Sequence, residues 1–406
     1  MIIYNLILII LSPLIILKII IEILTKKDSF GYFLCKIGFG KYNYQKNSIW
    51  IHASSIGETR SAIKIIDEIK KNNHGVKFII STSTSSPTQL LKKRSDVTHF
   101  IIPFDFFFIT RRLIRKLNPK VLIIIETEIW PNLIYSCHAN HIPIFIANAR
   151  LSKRTLKTNV IMKNIYKISL SKITKILCKS ERELKNYLEL GAKKEKLEIC
   201  GNIKLVNEVK KANTDRIINR KYVLAASTHK DEERQIITEW LKTNEKKVLL
   251  VIVPRHINRL GDILSDLPLD MIKIAIRSKN DPIRNNTQIY IADTYGELDI
   301  LMQHCEFVFM GGSLVDHGGQ NFIEAAAYGK TVIVGSYMYN FIDETEEFLK
   351  TNSMIMVKNS QTLKHVFERL LKSKQRRELF GNNAIKLLES KESVMSNYLS
   401  YFKDFL

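Results

Sequence analysis

Cysteine is scarce and unpatterned in this 406-residue chain: Cys35, Cys137, Cys178, Cys200 and Cys305 are widely spread and form no C-x-x-C. An odd, scattered set argues against a disulfide framework or a zinc knuckle and suits a reducing compartment. The nearest metal-like group, Cys137, His138 and His141, lacks a fourth ligand and follows an apolar helical stretch, so these read as ordinary helix residues. No D-x-D occurs anywhere, which leaves a metal-chelating nucleotide-sugar site without support, and no metal or cofactor is expected. Gly38-Phe39-Gly40 has no third glycine and precedes the first strand, against a dinucleotide fingerprint. Gly329-Lys330-Thr331 looks like the tail of a P-loop, but Glu324 stands where that motif needs glycine and the order is helix then strand. Acidic residues are also short, 40 Asp and Glu against 62 Lys and Arg, for a net charge of +22. Such an excess fits an anionic partner or surface, or a genome biased toward Ile, Lys and Asn.

What is present describes a folded protein of two or three domains. Hydrophobic residues at 45% and charged residues at 25% exclude disorder and low complexity, and the length divides at about 150 residues per domain.

Residues Met1 to Leu24 are almost wholly apolar, broken by Asn5, Ser12, Pro13, Lys18 and Glu22. At about 1.5 Å per residue they nearly match a bilayer core of about 30 Å and read as a membrane anchor. A cleaved signal would begin with basic residues, whereas here Lys26, Lys27, Lys36 and Lys41 follow the apolar run, which keeps the remaining chain cytoplasmic. Lys18 and Glu22, spaced i, i+4, leave a helix lying at the interface open beside a spanning one.

Beyond the anchor, short apolar strands alternate with helical patterns. Ile49 to His52, Val76 to Thr82, Val121 to Glu126 and Ile144 to Ala147 read as strands, with helices over stretches such as Arg60 to Lys71 and Thr88 to Lys93. The second half repeats the rhythm at Tyr222 to Ala226, Val248 to Val253, Ile289 to Ile291, Phe307 to Met310 and Val332 to Val334. Polar residues Asn207 to Lys221 separate the halves as a linker. Two doubly wound α/β domains with a cleft between them follow, with chemistry at the C-terminal ends of strands.

Polar motifs fall at those ends. Ile49-Trp50-Ile51-His52 runs through Ala53-Ser54-Ser55-Ile56-Gly57-Glu58 into a helix near Thr59, so Glu58 can accept a proton or complement the helix dipole. The stretch nearly matches the serine-hydrolase elbow with Ser55 central, but Ala53 replaces its first glycine. In Glu126-Thr127-Glu128-Ile129-Trp130-Pro131-Asn132, Glu126 and Glu128 would face one way in an extended segment, or cap the helix ahead of Pro131. Lys204, in Gly201-Asn202-Ile203-Lys204, either points into the cleft or is solvated.

The glycine-rich run from Gly311-Gly312-Ser313 to Gly318-Gly319-Gln320-Asn321-Phe322-Ile323-Glu324 lets backbone approach a phosphate ahead of a helix, with Glu324 placed for a ribose diol. Ser227-Thr228-His229 and Pro254-Arg255-His256 add phosphate-suited groups, Arg255 as a fork. Leu151 to Ser180 holds eight positive charges and no acidic residue, interleaved with Leu, Val and Ile. This amphipathic basic stretch suits an anionic lipid surface or a solvated helix face, and without an aromatic stacking platform it gives nucleic-acid binding little support.

In this order and along nearly the whole chain, these motifs resemble the 3-deoxy-D-manno-octulosonic acid (Kdo) transferases of lipopolysaccharide synthesis. The carriers are His52 to Thr59, Glu126 to Leu133, Asn148 to Ser152, Gly201 to Lys204, Ser227-Thr228-His229, Pro254-Arg255-His256, Gly296-Glu297-Leu298 and Gly311 through Glu324. The resemblance implies an inverting glycosyltransferase of the GT-B fold, with two Rossmann-like domains, moving Kdo from CMP-Kdo to a lipid A precursor (lipid IVA) at the cell inner membrane. It implies an anchor at 1–27, an acceptor-binding domain at 28–206, a linker at 207–221 and a CMP-Kdo-binding domain with terminal helices at 222–406. The family's base falls on Glu58 and its charge-stabilising pair on Glu126 and Lys204. CMP contacts fall on Pro254, Arg255, Tyr295, Gly296, Glu297, Asn321, Phe322, Ile323 and Glu324. Four positions depart from the family pattern: Tyr295 replaces a methionine, Gln320 a histidine and Phe322 a proline, and an aspartate usual shortly after Lys204 is missing.

Overall fold

The computed structural model describes residues 1–26, 30–40, 46–85, 87–92, 94–206, 215–243, 245, 247–267 and 272–406. Lys27, Lys41, Lys93 and the first part of the expected linker, 207–214, lie outside the described residues. The chain forms two compact units, Met1–Ile203 with Ser393–Leu406, and Lys204–Glu392.

In the first unit the strands are β1 (Ile49–His52), β2 (Phe78–Thr82), β3 (Val97–Ile101), β4 (Val121–Ile125), β5 (Ile144–Ala149), β6 (Lys175–Cys178) and β7 (Leu197–Ile199). They make one parallel sheet in the order β3-β2-β1-β4-β5-β6-β7. Val121-Leu122-Ile123-Ile124-Ile125 is buried throughout, as a parallel strand covered on both faces must be. The helices used below are α1 (Ile2–Lys26), α2 (Phe30–Lys36), α3 (Ile56–Asn72), α4 (Phe107–Leu117), α5 (Pro131–Ala139) and α6 (Val160–Leu170).

The second unit repeats the plan with β8 (Tyr222–Thr228), β9 (Leu249–Pro254), β10 (Ile274–Ile276), β11 (Ile289–Ile291), β12 (Val308–Met310), β13 (Val332–Val334) and β14 (Met354–Met356). Its parallel order is β10-β11-β9-β8-β12-β13-β14. Helices α7 (Glu232–Leu241) and α8 (Ile323–Ala327) follow β8 and β12, and α9 (Glu392–Phe402) closes the chain. In each unit the strand order reverses beside the first strand, between β1 and β4 and between β8 and β12, where doubly wound folds bind ligands.

Two expectations are revised. The terminal segment, assigned from sequence to the second half, belongs from Ser393 onward to the first unit. Its Tyr398 hydroxyl donates to Gly201 O at 2.8 Å and accepts from Asn148 N at 3.2 Å, while Phe402 and Phe405 set their rings edge-on to Phe145. The basic stretch Leu151 to Ser180 is not one amphipathic element, because it divides into a turn of helix at Lys153–Leu156, α6 and strand β6. Ile165, Ile173 and Ile176 enter the core, Lys179 is buried and Lys175 pairs with Glu198 at 2.9 Å. Val160, Ile161 and Ile168 stay outside.

Candidate active site

The turn from β1 to α3 is organised around Glu58. Ser55 is the N-cap: its Oγ accepts from Glu58 N at 3.2 Å and its hydroxyl donates to Glu58 Oε1 at 3.1 Å. Ser54 N donates to Glu58 Oε2 at 2.6 Å, completing a reciprocal cap of the capping-box kind. The helix therefore begins at Ile56, three residues before the expected Thr59, and Glu58 lies inside its first turn. The cap fixes the carboxylate, and burial raises its pKa to about 7. The nearby Glu126 and Glu128 carboxylates push the same way, and the Ser54 amide and Ser55 hydroxyl oppose them. A carboxylate titrating near neutrality is suited to general base work. Ser55, with φ −117° and ψ 166°, is ordinary extended backbone whose hydroxyl serves the cap, so it lacks the strained turn of a hydrolase nucleophile.

After β4 the chain turns sharply. Glu126 has φ 64°, in the left-handed region, so Glu126 and Glu128 do not share an extended segment as expected. Glu126 is buried, with Arg150 Nη1 at 3.7 Å from its carboxylate. Glu128 accepts from Trp130 Nε1 at 2.5 Å and lies 4.0 Å from His52 Nε2. Burial holds the His52 imidazole well below its ordinary pKa, and its ring nitrogens meet Ser81 Oγ at 2.9 Å and Ser54 Oγ at 3.2 Å. Capping of α5 falls neither to Glu126 nor to Glu128. Asp105 does it, accepting from Asn132 N and Leu133 N at 2.8 Å each. The sequence reading missed Asp105 and the Arg150 pairing.

In the second unit the strand ends carry positive and imidazole groups. Lys204 lies half-buried in a single 3-10 turn, Ile203–Leu205. Pro254 ends β9, and Arg255 N donates to Thr228 O at 2.9 Å while its side chain is exposed. After β11, Tyr295 is exposed and Gly296 has φ 90°. Glu297 is clamped by the Arg277 guanidinium at 2.6 Å, which holds its carboxyl below the usual range. After β12, Asn321 bridges α8, its Nδ2 donating to Glu324 Oε1 at 3.0 Å and its Oδ1 accepting from Ile323 N at 3.2 Å. Phe322 is fully buried against Phe341 and Phe348, so only its backbone is left for a ligand. Gln320 Nε2 meets His229 Nε2 at 3.0 Å. Strands β11, β9, β8 and β12 are successive neighbours in a parallel sheet, so their C-terminal ends bring these motifs to one edge.

The first glycines of the glycine-rich run serve packing rather than a phosphate. Glu232, at the start of α7, accepts from His229 N at 2.9 Å, Gly312 N at 2.6 Å, Ser313 N at 2.9 Å and Leu314 N at 2.9 Å. A Cβ on Gly311 would lie 2.4 Å from Ser227 O, so that turn requires glycine to approach β8. Gly319 N is taken by Gly312 O at 2.7 Å. Around this turn His229 stacks on His317 at 4.2 Å and meets His256 edge-on at 6.1 Å. Burial, then His317, His256, Arg259 and Arg255, lower the His229 pKa to about 4.

Residues 33–207 match the family model described as 3-deoxy-D-manno-octulosonic-acid transferase (kdotransferase), and residues 274–387 match glycosyl transferases group 1. The 3-deoxy-D-manno-octulosonic acid transferase of Haemophilus influenzae is 32% identical over 371 residues, covering 88% of this chain and 87% of that protein. The enzyme of the same name from Rickettsia prowazekii is 30% identical over 379 residues, covering 90% and 81%. Among solved structures, a glycosyltransferase from Rickettsia africae gives a TM-score of 0.62 at 15% identity, covering 89% of this chain and 99% of its own, a likeness of fold.

Proposed function

This chain belongs to the 3-deoxy-D-manno-octulosonic acid transferase family and is a glycosyltransferase, and from that premise we propose that it moves Kdo from CMP-Kdo to a lipid A precursor, lipid IVA, with inversion. The observation that carries this reading is the Glu58 carboxylate, fixed by Ser54 and Ser55 at the end of β1 with its pKa raised to about 7. Glu58 removes the proton from an acceptor sugar hydroxyl as that oxygen attacks the anomeric carbon of Kdo from the face opposite CMP. One displacement inverts the centre, the carbon–oxygen bond to CMP breaks, and CMP leaves with the electron pair. Glu126 and Lys204 are the proposed stabilisers of the charge that develops. Arg255 takes the CMP phosphate, and the cationic and imidazole edge around it supplies the electrostatic stabilisation such a leaving group needs. Pro254, Tyr295, Gly296, Asn321, Phe322 and Ile323 contact CMP, chiefly through backbone, and Glu324 receives the ribose diol. Glu297 contributes through its Arg277 clamp.

The apolar helix α1 is compatible with membrane anchoring. It would hold the two units at the cytoplasmic face of the inner membrane, against anionic lipids and where the lipid acceptor resides. No nucleic acid, metal or cofactor enters this scheme. Incubating the protein with CMP-Kdo and the tetra-acylated precursor, then weighing the lipid, tests it. A lipid heavier by one or more Kdo residues is expected, and CMP release without acceptor and without a heavier lipid would contradict the scheme.

A further inference from the structure

Helix α1 does not present the same surface on all sides. Ile2, Ile9, Ile10 and Leu14 are each more than half exposed, and the outward positions are nearly all Ile or Leu. Tyr4, Leu8, Ser12, Ile15, Ile19 and Glu22, spaced three or four apart, form a less exposed stripe. Tyr4, Asn5, Ser12 and Glu22 thus fall on or beside one side of the helix, while Lys18 is exposed with its Nζ 4.0 Å from Glu22 Oε1.

Both ends of that stripe are fastened to the first unit. The Tyr4 hydroxyl donates to Asp105 Oδ2 at 3.0 Å, and Asn132 Nδ2 donates to Asn5 Oδ1 at 2.8 Å. Further along, Ile19 is 1% exposed, and about five turns and roughly 27 Å from Tyr4 the Tyr32 hydroxyl donates to Glu22 Oε2 at 3.1 Å. A helix crossing a hydrocarbon core of about 30 Å would carry Tyr4 to the far side, away from Asp105. It would also turn Tyr4, Asn5, Ser12 and Glu22 toward lipid, where polar groups are costly.

We propose that α1 lies along the bilayer instead of through it, its Ile/Leu face sunk in one anionic leaflet and its polar stripe kept on the protein. The proposal extends the membrane reading of α1 and does not depend on the transfer chemistry. Charge complementarity identifies the lipid as anionic. Helix α4 starts two residues after Asp105, beside the anchored Tyr4, and its Arg111, Arg112, Arg115 and Lys116 border a shallow cavity of about 390 Å³ with Phe108, which is 81% exposed. The Arg112 guanidinium lies 6.0 Å over the ring of Phe39, itself exposed. Cations beside exposed aromatic rings are what the headgroup layer of an anionic membrane attracts.

The test places a fluorophore on Ile3→Cys, Ile10→Cys or Leu17→Cys in the full chain carrying Cys35→Ser, the other four native cysteines being buried. Each variant binds vesicles of phosphatidylethanolamine and phosphatidylglycerol that carry a quencher high or low on the acyl chain. Equal quenching at all three positions, stronger from the shallow quencher, is expected. An Ile10 label deeper than the other two would overturn the orientation while leaving anchoring intact, and no quenching anywhere would overturn anchoring as well. Arg111→Glu combined with Arg115→Glu is expected to weaken binding to these vesicles at least tenfold, roughly the loss of two such contacts. Unchanged binding would remove the anionic leaflet as the occupant.

Discussion

Glu58 and Glu232 occupy the same place in the two units, in the first turn of the helix that follows the first strand of each sheet, yet their surroundings differ. Glu58 receives two donors, one amide and one hydroxyl, and has two other carboxylates nearby. Glu232 receives four backbone amides, three of them from the glycine-rich turn about 80 residues away. Burial raises the Glu232 carboxyl too, but the four amides oppose it, and a group that accepts four amides is a fixed part of the scaffold because removing it strands four buried donors. A carboxylate with fewer donors and like charges beside it is kept near the point of protonation, which is what a base requires. The surrounding edges follow suit: Glu126 and Glu128 lie near Glu58, whereas His229, His256, His317 and Arg255 gather at the strand ends of the second unit.

The largest effect that would break this comparison is on stability. Glu232→Ala should cost at least about 3 kcal/mol by chemical denaturation, since several charge-assisted hydrogen bonds go together. Glu58→Gln should cost only about 1 kcal/mol, the worth of a helix cap. Similar costs for the two would mean that they are both structural. Next in size, Arg255→Ala should weaken CMP binding about tenfold or more, from about 1.5–3 kcal/mol for a hydrogen bond to a charged group. Calorimetry showing wild-type affinity would remove Arg255 from the phosphate site.

A smaller effect concerns pH. The proton-accepting form of Glu58 is the anion, so kcat/KM should fall as pH drops below about 7 and level off above it. Glu126→Gln removes one of the charges that raise the Glu58 pKa, so the midpoint of its normalised profile should move down by roughly half a pH unit or more. A midpoint that stays in place would uncouple the two carboxylates. Smallest of all is the expected response to EDTA, where transfer should be nearly unchanged if, as proposed, cations and imidazoles take the leaving phosphate. Loss of activity restored by magnesium would contradict that assignment.

How much of this was legible in the sequence follows from the range of the contacts. Val121 to Ile125 and Tyr222 to Ala226 announce themselves because strands buried on both faces are continuous apolar runs. Strands β3, with His99 in its middle, and β6, inside a lysine-rich stretch, carry no such run, and β7, β10 and β14 are short edge strands that are not buried throughout, unlike the equally short β11, β12 and β13 inside their sheet. Glu58 was legible because its strand, turn and helix are contiguous. Glu232, Asp105 and the Arg150–Glu126 pair were not, since what defines each is a partner about 80, 27 and 24 residues away. The glycine-rich run was found but misassigned in part, because nothing local shows that Glu232 already holds its amides.

The central claim is that Glu58 is the base of Kdo transfer, and it is tested most directly by measuring transfer from CMP-Kdo to the tetra-acylated precursor together with CMP affinity in Glu58→Gln. Transfer should fall by about a hundredfold or more, the usual contribution of a positioned base, while CMP binds as it does to the wild type. A variant that kept more than about a tenth of the wild-type rate would contradict the claim, since losing such a base costs far more than that.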